Sequence, residues 1–288
     1  MFDDIDVFDL AAEIRMERLA EENKSFLILE GVNDQKSLYG HIDEVKCSVV
    51  IAHRKKNVVE LVQHLDHEGF LGALGVVDHD FQNPEYESEN LIFSEFRDFD
   101  VLIFYSRAFD RFLHFRADKD KIQAVGGPDG VREKVAEAAW FLACLRIAND
   151  KRNFGLKFKG LRFDFVDRQN LQVNEGDMID EVIGNTNAQL DRNEIVRVYN
   201  IIKKQGHEHF KCCSGHDVAK VVGIALENLI ANLHSRLCGH REVETGLRMC
   251  FDVSSFVKTD LFSNVRNWEQ ENKKYFVLVE GLRELKIS

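Results

Sequence analysis

Four short apolar runs restrict what this chain can fold into more than any other feature: Phe26–Leu29, Cys47–Ala52, Leu74–Val77 and Asn90–Phe93. Each is too short for a buried helix, and its apolar residues are mostly consecutive rather than alternate. That is the pattern of strands covered on both faces. Helical spacing fills the gaps between them. A short helix starts at Asn33 or Asp34 and runs to about Tyr39. A longer one spans 57–68, with Val58, Leu61, Val62 and Leu65 on one side and Gly69 to end it. Strands alternating with helices predict βαβ units and a parallel sheet. Sheets of this kind bind ligands beyond the carboxyl ends of their strands.

The rest of the chain is mostly helical. Residues 6–22 carry Val7, Leu10, Ala11, Ile14 and Leu19 at roughly helical spacing. After the fourth strand a long helix is expected from about Asp98 to Phe115. The strongest break is Gly126-Gly127-Pro128-Asp129-Gly130. It divides the chain into an α/β domain over 1–125, with its N-terminal helix, and a mainly helical accessory domain over 126–288. Helices are expected there over 131–149, 176–184, 191–205, 215–235 and about 260–283. The alternation of Phe154, Phe158, Phe163 and Phe165 with polar residues predicts a β-hairpin near 153–167, turning at Gly160.

Composition excludes several classes. With 44% hydrophobic and 30% charged residues among 288, the chain is an ordinary globular one, and two prolines argue against long disordered linkers. A net charge of −11 argues against nonspecific coating of nucleic acid, which needs Lys and Arg for phosphates, but permits a local basic groove. The acidic start MFDDIDVFDL has no basic n-region and does not read as a signal peptide. No apolar run approaches the ~18 residues of a membrane span. Six scattered cysteines, two of them adjacent, are not a disulfide framework for this length. The expected setting is the reducing cytoplasm, without a membrane.

Carboxylates gather where the sheet should bind. Glu30 follows the first strand and Asp78 follows the third. Residues i and i+2 of an extended strand point the same way, so Asp78 and Asp80 can present two carboxylates together. Asp34 lies a helical turn beyond Glu30 and reads equally as a helix cap or a ligand. Asp80 alone could be a turn residue. Glu30 is harder to dismiss, because a carboxylate ending an apolar strand is costly without a partner. Gly31 should let the chain turn sharply and leave space beside it. An all-oxygen donor set suits Mg²⁺ or Mn²⁺ rather than zinc. Such an ion can activate a water and stabilise charge on a phosphate.

These residues carry a resemblance. "LILEGVND" followed by "GVVDHDF" resembles the Toprim domain, with a Glu after its first strand and Asp-x-Asp after a later one. "RKKNVVELV", "NLIFSEFRDFDVLIF" and "CSGHDVAKVV" extend it. The set is similar to OLD-like Toprim nucleases, in particular the Toprim effectors of PARIS-type phage-defence systems. It covers most of 24–116 and one motif near 214–221. The resemblance implies a Toprim-like sheet and a metal-dependent endonuclease, with RNA, perhaps tRNA, favoured over DNA as substrate. It implies a toxic effector controlled by an ABC-type ATPase sensor subunit and able to form a homodimer on release. Glu30, Asp78 and Asp80 match the catalytic positions, and Glu30, Asp34, Asp78, Asp80 and Asp98 the metal-binding ones. Asp100 stands where the family has Glu, a side chain one methylene longer. A non-catalytic partner module of an ATPase complex is the second reading, and a topoisomerase or primase subunit a third.

Further signals are weaker. Arg54, Lys55 and Lys56 precede a helix and read as a phosphate-holding element or a solvated loop. Lys157 and Lys159, with Lys151, Arg152 and Arg162 among the phenylalanines, read as substrate contacts or as the outer face of the hairpin. The His207–His216 stretch tempts a zinc reading but lacks separated ligand pairs, and Gly215-His216-Asp217 looks like the family's structural helix start. No P-loop motif is present, so any ATP dependence belongs to a partner.

Overall fold

The computed structural model describes residues 6–79, 86–186, 190–206 and 212–285. Strands β1 (Ser25–Leu29), β2 (Cys47–Ile51), β3 (Ala73–Val77) and β4 (Leu91–Phe93) form one parallel sheet in the order β2-β1-β3-β4. Leu29 pairs with Ile51 on one side and Val76 on the other, and Val77 with Phe93. Every residue of β1 and β3 is buried. Both faces of these strands are therefore covered, which explains the unbroken apolar runs.

Helices α1 (Val7–Ala20), α2 (Val32–Ser37) and α3 (Lys55–His67) accompany the sheet. Val58, Leu61, Val62 and Leu65 of α3 meet Phe26, Ile28, Ala73 and Val77 in one apolar cluster, with Ala11 and Ile14 of α1 behind them. Gly75 sets how closely α3 lies on β3. A Cβ there would stand 2.7 Å from Val62 and 2.9 Å from Leu91. The strand order has a functional consequence. From β1 the chain moves to β2 on one side, whereas β3 and β4 continue on the other. The connections diverge between β1 and β3, the position at which open α/β sheets form a ligand crevice beyond the carboxyl ends of their strands.

The chain divides into two compact units, but not at 125/126. One joins the chain up to Glu95 with the segment from Phe251 onward; the other is Phe96–Cys250. The late segment belongs to the sheet because its polar groups are satisfied there. Leu278 bridges Ile42 in antiparallel fashion, and Ser25 donates to the Phe276 carbonyl. Trp268 Nε1 donates to Asn90 at 2.8 Å. Buried Glu269 accepts from the Val277 and Leu278 N–H groups, both at 2.8 Å, and pairs with Arg266. The helix expected to reach 283 therefore ends at Glu271, and a short one resumes at Glu280–Arg283.

The second unit is built around helix Gly127–Arg152, against which Lys119–Ala124, Glu175–Thr186, Arg192–Lys204 and Gly215–Ile224 pack. The glycine-rich break at 126–130 starts this helix instead of separating domains. Gly126 and Gly127 take left-handed φ values of 99° and 79°, and Pro128 sits in the first turn, where its missing N–H costs nothing. The expected helix from Asp98 to Phe115 is two, Phe99–Tyr105 and Arg107–Arg116. Ser106, extended between them at ψ 176°, caps the second by accepting from Ala108. The helix expected over 215–235 is α-helical to Ile224, widens to a π turn over Ala225–Leu229, and stops at Ile230.

The hairpin near 153–167 is replaced by an irregular segment with one isolated bridge, Val166 to Val173. Phe163 at φ 63° and Gly160 at φ 89° break the extended path. Its backbone finds partners on a helix rather than on a second strand. Thr186 accepts from Lys157, Asn185 donates to the Lys157 and Lys159 carbonyls, and Glu181 accepts from Arg162 and Phe163.

Candidate metal centre

Glu30 and Asp78 are the first residues after β1 and β3, on either side of the crevice. Glu30 Oε1 accepts from the Asp78 N–H at 2.8 Å, so a carboxylate is fixed across the two strand ends. Both residues are half-buried. Asp34 is not the cap of α2 but its third residue: Gly31 is the N-cap, and Asp34 Oδ2 accepts from the Gly31 N–H at 2.9 Å. Gly31 is not needed for steric room or a special turn: its φ is −152°, and a Cβ would stand 3.6 Å from Asp34, an ordinary contact. Asp80 lies outside the described residues. The carboxylates of Glu30, Asp34 and Asp78 are of the donor type that Mg²⁺ or Mn²⁺ takes, but they do not converge into a three-ligand group; among the described residues the group that does is His216, His240 and Glu244.

The three basic residues at the start of α3 part company. Lys55 donates to the Asp78 carbonyl at 2.8 Å and lies 5.5 Å from the centre of the Phe93 ring, so it serves the crevice directly. Arg54, the residue before α3, is exposed, and exposed Lys56 pairs with Glu60 at 3.4 Å. Just beyond β4, burial, aided by the neighbouring Asp260 carboxylate, pushes the Glu95 carboxyl up to about 7. A carboxyl raised in the folded state contributes stability that is complete below its ordinary value and lost as pH rises through about 7. Glu95→Gln should therefore be more stable than the parent by roughly 1–2 kcal/mol at pH 8, after allowance for solvent screening, and gain nothing at pH 4.5. Urea unfolding at the two pH values checks this.

Asp98 and Asp100 belong to the second unit. Asp98 caps helix Phe99–Tyr105 through Oδ1 to the Val101 N–H at 3.0 Å, while Oδ2 accepts from the Gly215 N–H at 2.7 Å. Burial pushes its carboxyl up to about 6 against the pull of the Gly215 N–H. Each oxygen keeps one further lone pair for a cation. Asp100 is clasped by Arg248, Nε to Oδ1 at 2.9 Å and Nη2 to Oδ2 at 2.6 Å. Its charge is already compensated, which gives the shorter side chain at this position a structural use. The Ser-Gly-His-Asp motif acquires a reason too. A Cβ on Gly215 would lie 2.4 Å from the Asp100 Cβ and 2.6 Å from Asp98 Oδ1. Gly215→Ala should cost about 1–3 kcal/mol, read as a lower melting temperature.

Lys157 and Lys159 are exposed and available to a polyanion, but the phenylalanines near them are not a stacking platform. Phe163 and Phe165 are buried against each other, 5.2 Å between centroids, and Phe158 lies under the Arg146 guanidinium at 4.3 Å. Of the His/Cys stretch, His207 to Lys211 lie outside the described residues. Cys212 and Cys213 are buried, and burial drives the Cys213 thiol upward and the nearby Cys144 thiol up to about 12, against thiolate ligation. His216 instead meets His240 and Glu244. The sequence reading missed that pair, although His240 and Glu244 stand four apart, hence on one helix face.

No protein-family model matches the chain, and neither does any curated protein. The fold and the crevice by themselves define an α/β protein with a four-stranded parallel sheet flanked by helices, carrying carboxylates at its topological switch point. Among the described residues no helix is long and apolar enough to cross a membrane.

Proposed function

We propose that the chain is a Mg²⁺- or Mn²⁺-dependent endonuclease of the Toprim type. The observation that carries this is the Glu30 carboxylate, held by the Asp78 N–H across the ends of β1 and β3. Bound there, the ion would supply positive charge to a phosphodiester and acidify a water. Glu30, Asp34, Asp78 and Asp80 would hold it, and the motif resemblance adds Asp98. Glu30 would also take the proton of the attacking water or hydroxyl. Lys55 fixes the end of β3 through the Asp78 carbonyl, and Arg54 and Lys56 offer charge to the substrate backbone. Lys157 and Lys159, exposed in the second unit, would by themselves offer charge to a polyanion. The motif resemblance extends the reading to RNA, tRNA above all, and to a toxic cytoplasmic effector restrained by an ABC-type ATPase and dimerising on release.

The Arg248 clasp on Asp100 favours one competitor, a non-catalytic module docked on that ATPase. Incubation with tRNA, mRNA and plasmid DNA, with Mg²⁺ or Mn²⁺ and then with EDTA, separates the two. RNA cleavage that stops with EDTA is the expected result. Cleavage indifferent to EDTA overturns the metal assignment. No cleavage, together with no toxicity on expression, leaves the docked module as the answer.

A further inference from the structure

We infer that His216, His240 and Glu244 form a second metal site, of the zinc class, in the unit Phe96–Cys250. One ligand atom from each lies within 4.8 Å of the others. His216 is the second residue of helix Gly215–Ile224, and the other two share the first turns of helix His240–Cys250. His216 Nδ1 and Glu244 Oε1 are 3.4 Å apart. Zinc bonds of about 2.0–2.2 Å in tetrahedral geometry place neighbouring ligand atoms about 3.3–3.5 Å apart, so one edge of the polyhedron is already set. The two imidazoles meet edge to face with centroids 4.3 Å apart, so His240 stands beside the same corner of the site as His216.

The chemistry favours an ion over a simple histidine–carboxylate pair. Burial, with His216, Lys220 and Arg241 nearby and against the pull of Glu244, shifts His240 below the usual histidine range, toward the imidazole form that has a lone pair to donate. Two imidazoles and one carboxylate suit zinc, cobalt or nickel better than magnesium. The surroundings resemble a built second layer. Glu244 Oε2 lies 3.8 Å from Arg248, and Arg248 is neutralised by Asp100. Outer partners of this kind orient a ligating carboxylate. His216 is half exposed, which leaves the fourth position open to water or to a ligand from another molecule. An ion here would join the two helices beside the Gly215 N–H that holds Asp98. None of its three residues is among those proposed to hold Mg²⁺ or Mn²⁺.

The test uses the full chain, stripped with a chelator and titrated with Co²⁺ and then Zn²⁺. One equivalent of Co²⁺ should give the visible bands of nitrogen- and oxygen-bound tetrahedral cobalt without a thiolate charge-transfer band. Zn²⁺ should displace it and raise the melting temperature, while excess Mg²⁺ should do neither. His240→Ala should abolish the bands, and Glu244→Gln should weaken Co²⁺ binding at least about tenfold. Glu30→Gln should leave the titration unchanged, so failure here and failure of the nuclease reading are told apart. Absence of the bands in the parent protein overturns the inference, as does their survival in His240→Ala or a thiolate signature from the cysteines. Should His240→Ala not fold, by circular dichroism, His216→Ala at the half-exposed position gives the same decision.

Discussion

Glu30→Gln should lower metal-dependent RNA cleavage by about two to four orders of magnitude while leaving the fold intact. The side chain does two separable things. Its oxygen accepts from the Asp78 N–H and ties the ends of β1 and β3 together. On the proposed reading its charge would hold a cation or take a proton. A glutamine keeps an acceptor oxygen at the same reach and loses only the charge. Stability should therefore change by less than about 1 kcal/mol, and the loss should fall on turnover. Glu30→Ala removes both roles and should match the activity loss while also loosening the strand ends. Asp78→Asn should behave like Glu30→Gln, because the Asp78 backbone supplies the N–H whatever its side chain. The readout is single-turnover cleavage of labelled tRNA at saturating Mg²⁺, beside the melting curve of each variant. Full activity in Glu30→Gln would remove this carboxylate from the chemistry.

The second large effect is structural. Arg146→Met should cost about 3–5 kcal/mol and lower the melting of the second unit by roughly 10 °C. Asp217 is 1% exposed, and Arg146 is its bidentate partner, Nε at 2.7 Å and Nη2 at 2.9 Å. Methionine preserves much of the volume and strips the charge, leaving a carboxylate buried without its cation. The Arg146 guanidinium also covers the Phe158 ring, so some packing is lost as well. Arg146→Met combined with Asp217→Asn should recover part of the loss, because the uncompensated charge is gone. Fully additive losses in that cycle would mean the pair is not the source of the effect. Asp217 also belongs to the helix whose first N–H holds Asp98, so the loosening should reach that contact.

The errors in reading the sequence share a cause. The alternation at 161–165 is real, for Leu161, Phe163 and Phe165 are buried and Arg162 and Asp164 exposed. Alternation reports which residues face inward, not what pairs with their backbone, and here Glu181 and Asn185 of a helix do so. The glycine break looked like a domain boundary because Gly and Pro mark both linkers and helix starts. Ser106 splits one apolar helical pattern into two helices because its hydroxyl caps the second, a choice that periodicity does not register.

The sequence by itself determined the four strands to within one or two residues and the parallel sheet, because burial on both faces demands consecutive apolar residues that no other element of that length needs. It also placed Glu30 and Asp78 at strand ends, since position along a strand is a local property. Only the tertiary structure decided which strand lies beside which, and so that these two residues share one crevice. Only it brought Gly215 to Asp98 and Arg248 to Asp100, partners 117 and 148 residues apart in the chain. Only it set His216 against His240 and Glu244. Spacing in a sequence reports the face an element buries; which distant carboxylate, guanidinium or imidazole meets that face depends on how the helices pack, and no local pattern carries that information.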